Sequence, residues 1–258
     1  MSTEKQNSPK MTQTGTTRSW GPRQSYKPDI TVITSLFHGR QTGILHSTGI
    51  YSPEWVDRLY RGISRNYNGK FNFICLTEQN YKFKEPIQAV RFNRSVDQYG
   101  WMSLMEQYRP DLCTGKRITT GLDTIITGPL DDIFAYDAKI ALCQDPYHPE
   151  TICNAITISN DEFCSEVWNM WTGDEFMFMR EAKLDYGPHS APSEMALLRM
   201  AYPDSPRLDT IFKGKILSYR VHIHGHMNRL KDASIVYFHG KDKPHTVADQ
   251  QWVKENWR

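Results

Sequence analysis

Long apolar runs are missing from this 258-residue chain. No segment approaches the roughly 18 to 20 consecutive apolar residues that a membrane-spanning helix needs. The first 28 residues also lack the apolar stretch of a secretory leader, so a cytoplasmic location is expected. Paired cysteines are missing too. Cys75, Cys113, Cys143, Cys153 and Cys164 stand far apart with no C-x-x-C spacing, which points to reduced thiols rather than disulfides or a zinc knuckle. A strong charge of one sign is the third absence: the formal net charge is +2, a balance that by itself predicts no nucleic-acid partner. With no internal repeat and no strong linker, the chain reads as a single domain.

What is there suits a soluble globular protein, with 39% hydrophobic and 23% charged residues in a length sufficient for one sizeable α/β core. Residues 1–28 hold Lys5, Lys10, Arg18, Arg23 and Lys27 against the single acid Glu4, in a background rich in Ser, Thr, Gln, Gly and Pro. That composition predicts a disordered basic arm. It is read first as a solvated tail and second as a contact for a polyanionic acceptor, with Trp20 and Tyr26 beside its cations. Residues 29–258 form the ordered domain. Ile30 to Leu36 and Phe71 to Leu76 are β-branched or apolar strands. Between them SPEWVDRLYRGISRNY reads as a helix with Ser52 at its cap and Pro53 at its first position, making a parallel βαβ unit. Gln88 to Phe92 is a third strand, followed by a helix at Trp101 to Tyr108. Further strands are expected at Lys139 to Cys143, Ile152 to Ser159, Lys215 to His224 and Ser234 to Phe238. Helices are expected at Asp161 to Trp171, at Ser193 to Met200 and at the carboxyl end.

Two segments carry chemistry. In Lys116 to Phe134, KRITTGLDTIITGPLDDIF, an apolar strand stops at Asp123. In Tyr237 to Pro244, YFHGKDKP, a strand ends in His239, Gly240 and Lys243. A carboxylate and an imidazole at two strand ends can hold a hard divalent cation. A glycine lets backbone approach a phosphate, and a lysine neutralises it. An open α/β sheet places ligands beyond the carboxyl ends of its strands, where both segments fall.

The pattern resembles the GT-A glycosyltransferases, particularly the family-eight galactosyltransferase and glycogenin-like enzymes. Their aspartate strand reads L-D-x-D followed by an L-x-x-L-F segment. Its second aspartate matches Asp123, preceded by Leu122, and its first falls on Gly121. The family's F-N-A-G strand matches CNAI, placing Asn154 and Ala155 at the donor sugar. Its acidic pair before an aromatic helix matches Asp174 and Glu175 in GDEFMFM. Its H-x-x-G-x-x-K-P matches Gly240 and Lys243, with Tyr237 at the histidine position and His239 as substitute ligand. The family's first strand end, which meets the nucleotide base, corresponds to Thr34, Ser35 and His38.

The resemblance implies a GT-A-like open twisted sheet, mixed but mostly parallel and flanked by helices. It implies a hexosyl- or pentosyltransferase moving a sugar from a UDP-sugar, with retention, to a hydroxyl of a glycan. For a phage-type DNA-modifying member in the host cytoplasm, the acceptor would be a hydroxylated base in DNA. Asp123 and His239 are the metal ligands for Mn2+ or Mg2+. Asp174, Glu175 and Asn154 are the catalytic and sugar-positioning groups.

Each assignment has a plainer alternative. Asp174 can cap a helix, Asn154 can satisfy a structural hydrogen bond, Lys243 can be a solvated loop cation, and Asp131 and Asp132 read as first-turn acids of a short helix. His222, His224 and His226 alternate along an expected strand and share one face there, more simply as structural histidines than as a metal site, with one of them, or Arg220, able to touch phosphate or acceptor. The loop from Phe37 to Tyr51 suits a mobile lid. Rival readings of the whole chain are a nucleotidyltransferase and a non-catalytic nucleotide-sugar binder.

Overall fold

The computed structural model of the protein describes residues 30–38, 50–184 and 191–258. The basic arm and most of the expected lid lie outside these residues. The parallel unit forms as its sequence pattern indicates. Strand β1 (Ile30–Leu36) is followed by helix α1 (Pro53–Asn66) and strand β2 (Phe71–Thr77), in parallel register with Ile30 opposite Phe71. Helix α1 buries Trp55, Val56, Leu59 and Ile63, the helically spaced apolar face. Ser52 occupies the cap position, but its side chain makes no capping hydrogen bond. Strand β3 (Gln88–Arg91) extends the sheet, and a short helix α2 (Val96–Tyr99) leads on. The helix expected at Trp101 to Tyr108 is a 3-10 helix, Gly100–Tyr108.

Strand β4 (Arg117–Thr120) pairs in parallel with β1. The chain then leaves this sheet. Strand β5 (Thr124–Ile126) belongs to a second, three-stranded sheet, so the single strand expected up to Leu122 is broken at Gly121. Helix α3 (Asp131–Ala135) carries Asp131 and Asp132 in its first turn, as expected. Strands β6 (Ile140–Gln144) and β7 (Ile152–Ser159) complete a six-stranded sheet ordered β3-β2-β1-β4-β7-β6. Strand β7 is antiparallel to both its neighbours, and the other strands share one direction. The second half supplies helices α4 (Asp161–Gly173), α5 (Glu175–Glu181), α6 (Glu194–Ala201) and α7 (Leu208–Ile211). Strands β8 (Ile216–Ser218) and β9 (Ile235–Tyr237) join β5 in the small sheet, and helix α8 (Gln251–Asn256) closes the chain.

The strand expected from Lys215 to His224 is cut short at Ser218. The Ser218 hydroxyl accepts from the Val221 N–H at 3.2 Å, and Tyr219–Ile223 winds into a π-helical turn. His222, His224 and His226 therefore share no strand face. The His222 ring accepts from the Ser218 N–H at 3.0 Å, and the other two are exposed.

Both sheets feed one core: Val32, Ile118, Ile125, Ile216 and Ile235 are 0–1% exposed and belong to the same apolar cluster. On a second cluster, Met102, Met105 and Tyr108 of the 3-10 helix pack with Phe163, Trp171 and Leu197. The cysteines are free thiols; Cys75, Cys143, Cys153 and Cys164 are buried and Cys113 half-buried.

Arg117 starts β4 and is 1% exposed. Its guanidinium donates to the carbonyls of Gln107, Arg109 and Cys113 at 3.2, 2.9 and 2.9 Å, tying the segment before β4 to the strand. Arg117→Leu would leave those carbonyls in an apolar setting, at a cost of about 3 kcal/mol or more. A urea titration should show the midpoint fall accordingly. A variant within about 0.5 kcal/mol of the parent would mean the carbonyls find other partners.

Candidate active site

The strand order sets the position of the site. Strands β1 and β4 are neighbours, yet β1 leads towards β2 and β3 while β4 lies on the side of β7 and β6. The carboxyl ends of such a pair diverge into a crevice. A cavity of about 570 Å³ opens there, within the size of small-molecule sites, about 300–1,000 Å³.

Five segments converge on it. Ser35 and Phe37 come from the end of β1, and Gly121, Leu122 and Asp123 from the turn after β4. Asp145, Pro146 and Tyr147 follow β6. Because β7 runs the other way, it presents its beginning, Cys153, Asn154 and Ala155, at this same edge. His239, Gly240 and Lys243 arrive from the small sheet. There β9 pairs antiparallel with β5, Tyr237 opposite Thr124, and the Phe238 N–H donates to the Asp123 carbonyl at 2.9 Å. Gly240 has a φ of 67°, a left-handed conformation that favours glycine, and turns the chain back so that the Lys243 ammonium bonds the Asp123 carboxylate. The same Asp123 oxygen accepts from the Tyr51 hydroxyl at 3.2 Å, and burial first, then Asp123, pushes that phenol well above its usual range.

Of the expected site residues, Ser35, Leu122, Asp123, Asn154, Ala155, His239, Gly240 and Lys243 line this cavity. The rest do not. Thr34 is buried, its hydroxyl donating to the Thr120 carbonyl at 2.9 Å, so it latches β1 to β4. The His38 N–H donates to Glu78 at 2.8 Å and its ring stands beside Tyr81. Asp174 is the cap of α5, accepting from the Met177 N–H at 2.9 Å. Glu175 accepts from Arg94 Nε at 2.9 Å and from the Tyr99 hydroxyl at 2.8 Å, and the Arg94 guanidinium holds its carboxyl below the ordinary range. Of the acidic pair read as sugar contacts, Asp174 thus caps α5 and Glu175 joins α5 to α2 and the segment preceding it.

The expected metal clamp also fails on its donor chemistry. A hard ion such as Mg2+ is octahedral and takes one or two carboxylates from the protein, with water and phosphate oxygens for the rest. Here the position before the aspartate is Gly121, and a Cβ placed there would lie 2.8 Å from Asp123 Oδ1. Asp123 already holds an ammonium and a phenol. His239 Nε2 is 2.7 Å from the Ser218 hydroxyl, and burial lowers its pKa. Among the described residues, no group of three or more His, Cys, Asp or Glu side chains converges on one point.

Several lining residues escaped the sequence reading. Asp145 is an acid at a strand end, the same signal that picked out Asp123. Its carboxylate pairs with Arg199 at 2.6 Å and accepts from the N–H groups of Tyr147 and His148. Trp101 meets Phe37 edge-on at 5.9 Å, giving the β1 side of the cavity an aromatic wall. Arg220, which the sequence marked as able to touch phosphate or acceptor, does line the cavity, but from the π-helical turn rather than from the expected strand.

Comparison with known proteins agrees with this architecture. No protein-family profile matches the sequence, and no curated protein matches it. Solved structures do. The glycosyltransferase GlyE of Streptococcus pneumoniae superposes with a TM-score of 0.56 at 16% identity, over 84% of this chain and 56% of its own. The galactosyltransferase LgtC, solved with donor and acceptor sugar analogues, gives 0.54 at 7% identity, over 83% and 88% of the two chains. The bifunctional glycosyltransferase WbbM gives 0.51 at 10% identity, over 90% of this chain and 52% of its own. The chain has the GT-A fold. It spans little more than half the length of GlyE and almost all of LgtC.

Within the GT-A fold, one further residue holds the site in place. Glu194, 1% exposed at the start of α6, accepts from the Asn154 side-chain amide at 2.5 Å and from the Tyr108 hydroxyl at 2.6 Å. Burial pushes its carboxyl from 4.5 up to about 7, against the lowering effect of those two bonds. The unfolded chain loses this proton at a lower pH than the fold does. Stability is therefore full below the unfolded value and falls as pH rises towards the folded one, by about 3 kcal/mol at most. Glu194→Gln, which stays neutral, should flatten the loss of melting temperature between about pH 5 and about pH 8. An unchanged slope in that variant would remove Glu194 as its source.

Proposed function

We propose that the protein is a glycosyltransferase that takes a nucleoside diphosphate sugar, a UDP-sugar on the family resemblance, and passes the sugar to a hydroxyl group. One observation carries this: three segments spread over 120 residues, Asp123, Asn154 with Ala155, and Gly240 with Lys243, line a single cavity at the strand ends. The GT-A fold supports it. Phe37 and Trp101 offer an apolar wall for the base, and the Gly240–Lys243 turn meets the diphosphate. The Asn154 amide, held by Glu194, meets the sugar. In the reaction, the bond from the anomeric carbon to the phosphate oxygen breaks with its electron pair passing to the phosphate. The acceptor oxygen bonds to that carbon, and its proton leaves to a phosphate oxygen. Fixed donors aimed at the leaving phosphate stabilise the charge that develops there.

The acceptor is a glycan hydroxyl or a hydroxylated base in DNA. The second requires the base to be turned out of the duplex. A second reading, a non-catalytic nucleotide-sugar binder, draws on the engagement of Asp174 and Glu175 elsewhere.

A screen of nucleotide sugars that reads release of the nucleoside diphosphate tests the assignment. At least one donor should be turned over, and Lys243→Met should slow that turnover about 100-fold, the scale of losing one charged donor to a leaving oxyanion. Binding without any release, with glycans and hydroxymethylated DNA both supplied, would leave only the binder.

A further inference from the structure

The cavity that Asp123 was expected to equip with a divalent ion contains two fixed cations, and their geometry suggests another use for the aspartate. Lys243 is 8% exposed and its ammonium rests on the Asp123 carboxylate, which the Tyr51 hydroxyl also donates to. The aspartate thus already has a cation, supplied by the chain. The second is Arg220. A Cβ placed on Gly240 would lie 2.9 Å from its Nη1, so the guanidinium lies against the backbone of the Gly240 turn. Its Nε is 3.7 Å from Asp242, too far for a hydrogen bond, and no hydrogen bond to a described residue uses its donors. The pKa of His239, between these groups in the chain, is lowered by burial and then by Arg220.

We propose that the diphosphate of the nucleotide sugar is bound and neutralised by Lys243 and Arg220, without a divalent metal ion. This rests on the donor reading given above. In this arrangement Asp123 is a positioning residue: with Tyr51 it aims the Lys243 ammonium at the phosphates. Gly121 is small because a side chain there would press on Asp123. Arg220 supplies the planar fork of donors suited to paired phosphate oxygens. Gly240, glycine because of its left-handed φ of 67°, leaves the space beside its backbone in which the Arg220 guanidinium lies. As the sugar departs, the electron pair left on the β-phosphate oxygen is met by these two side chains, already in place.

Calorimetry of the full chain with UDP, GDP, ADP and CDP, each in EDTA and each in manganese, tests this, followed by UMP with whichever base binds as UDP. The expected result is a diphosphate that binds in EDTA within about 3-fold of its affinity in manganese. Arg220→Gln, at an exposed position that leaves the core intact, should weaken the diphosphate about 10-fold and the monophosphate much less. Turnover of the matching sugar should persist in EDTA. Diphosphate binding that appears only with manganese would overturn the inference and leave the donor reading standing. Equal losses for mono- and diphosphate in Arg220→Gln would also overturn it, because Arg220 would then not face the second phosphate. Failure of every nucleotide, with and without metal, would instead remove the donor reading, and the inference with it.

Discussion

The antiparallel pairing of Thr124–Ile126 with Ile235–Tyr237 is the contact on which the site depends. It holds together segments whose functional side chains, Asp123 and Lys243, stand 120 residues apart in sequence. The backbone bond from Phe238 to Asp123 fixes the offset of the two loops, and the left-handed turn at Gly240 returns Lys243 to the carboxylate. Ordering such distant segments costs chain entropy, recovered through the shared core in which Ile125, Ile235 and Val236 are almost fully buried. The small sheet is therefore more than an appendage: it is how the second half of the chain reaches the crevice that the first half opens.

Direction matters as much as contact. A wholly parallel six-stranded sheet would carry Asn154 away from the crevice, since the beginning of each strand would lie at the opposite edge. Strand β7 runs backwards, so its first residues sit beside the end of β4, and the register that sets Thr120 opposite Ile156 leaves Asn154 and Ala155 just beyond it. Glu194 then secures the Asn154 amide from behind. The two ends of the cavity differ electrostatically: Lys243 is paired with Asp123 at one end, and at the other the Glu194 carboxyl behind Asn154 is buried with its pKa pushed up to about 7.

Several errors of the sequence reading share one cause. Asp174 and Glu175 matched a motif in spacing, but the partners that claim them, the Met177 N–H, Arg94 and Tyr99, include groups brought in by tertiary packing. Glu194 went unmarked in the sequence, and only the burial of α6 against β7 makes it a partner of Asn154. The setting of Arg220 was misread because a run of β-branched and aromatic residues reads as strand, whereas the Ser218 hydroxyl competes for the backbone and starts a π-helical turn.

The local periodicities of the chain were enough to determine the βαβ unit, the apolar face of α1 and the full extent of β7 from Ile152 to Ser159. These depend on neighbours a few residues away, which sequence order specifies. Tertiary structure alone decided which strands pair, that β7 is reversed, that the chain changes sheets at Gly121, and which charge Asp123 holds. Those outcomes depend on which distant surfaces can be buried together, and no local pattern in a single sequence encodes the partner across such a span.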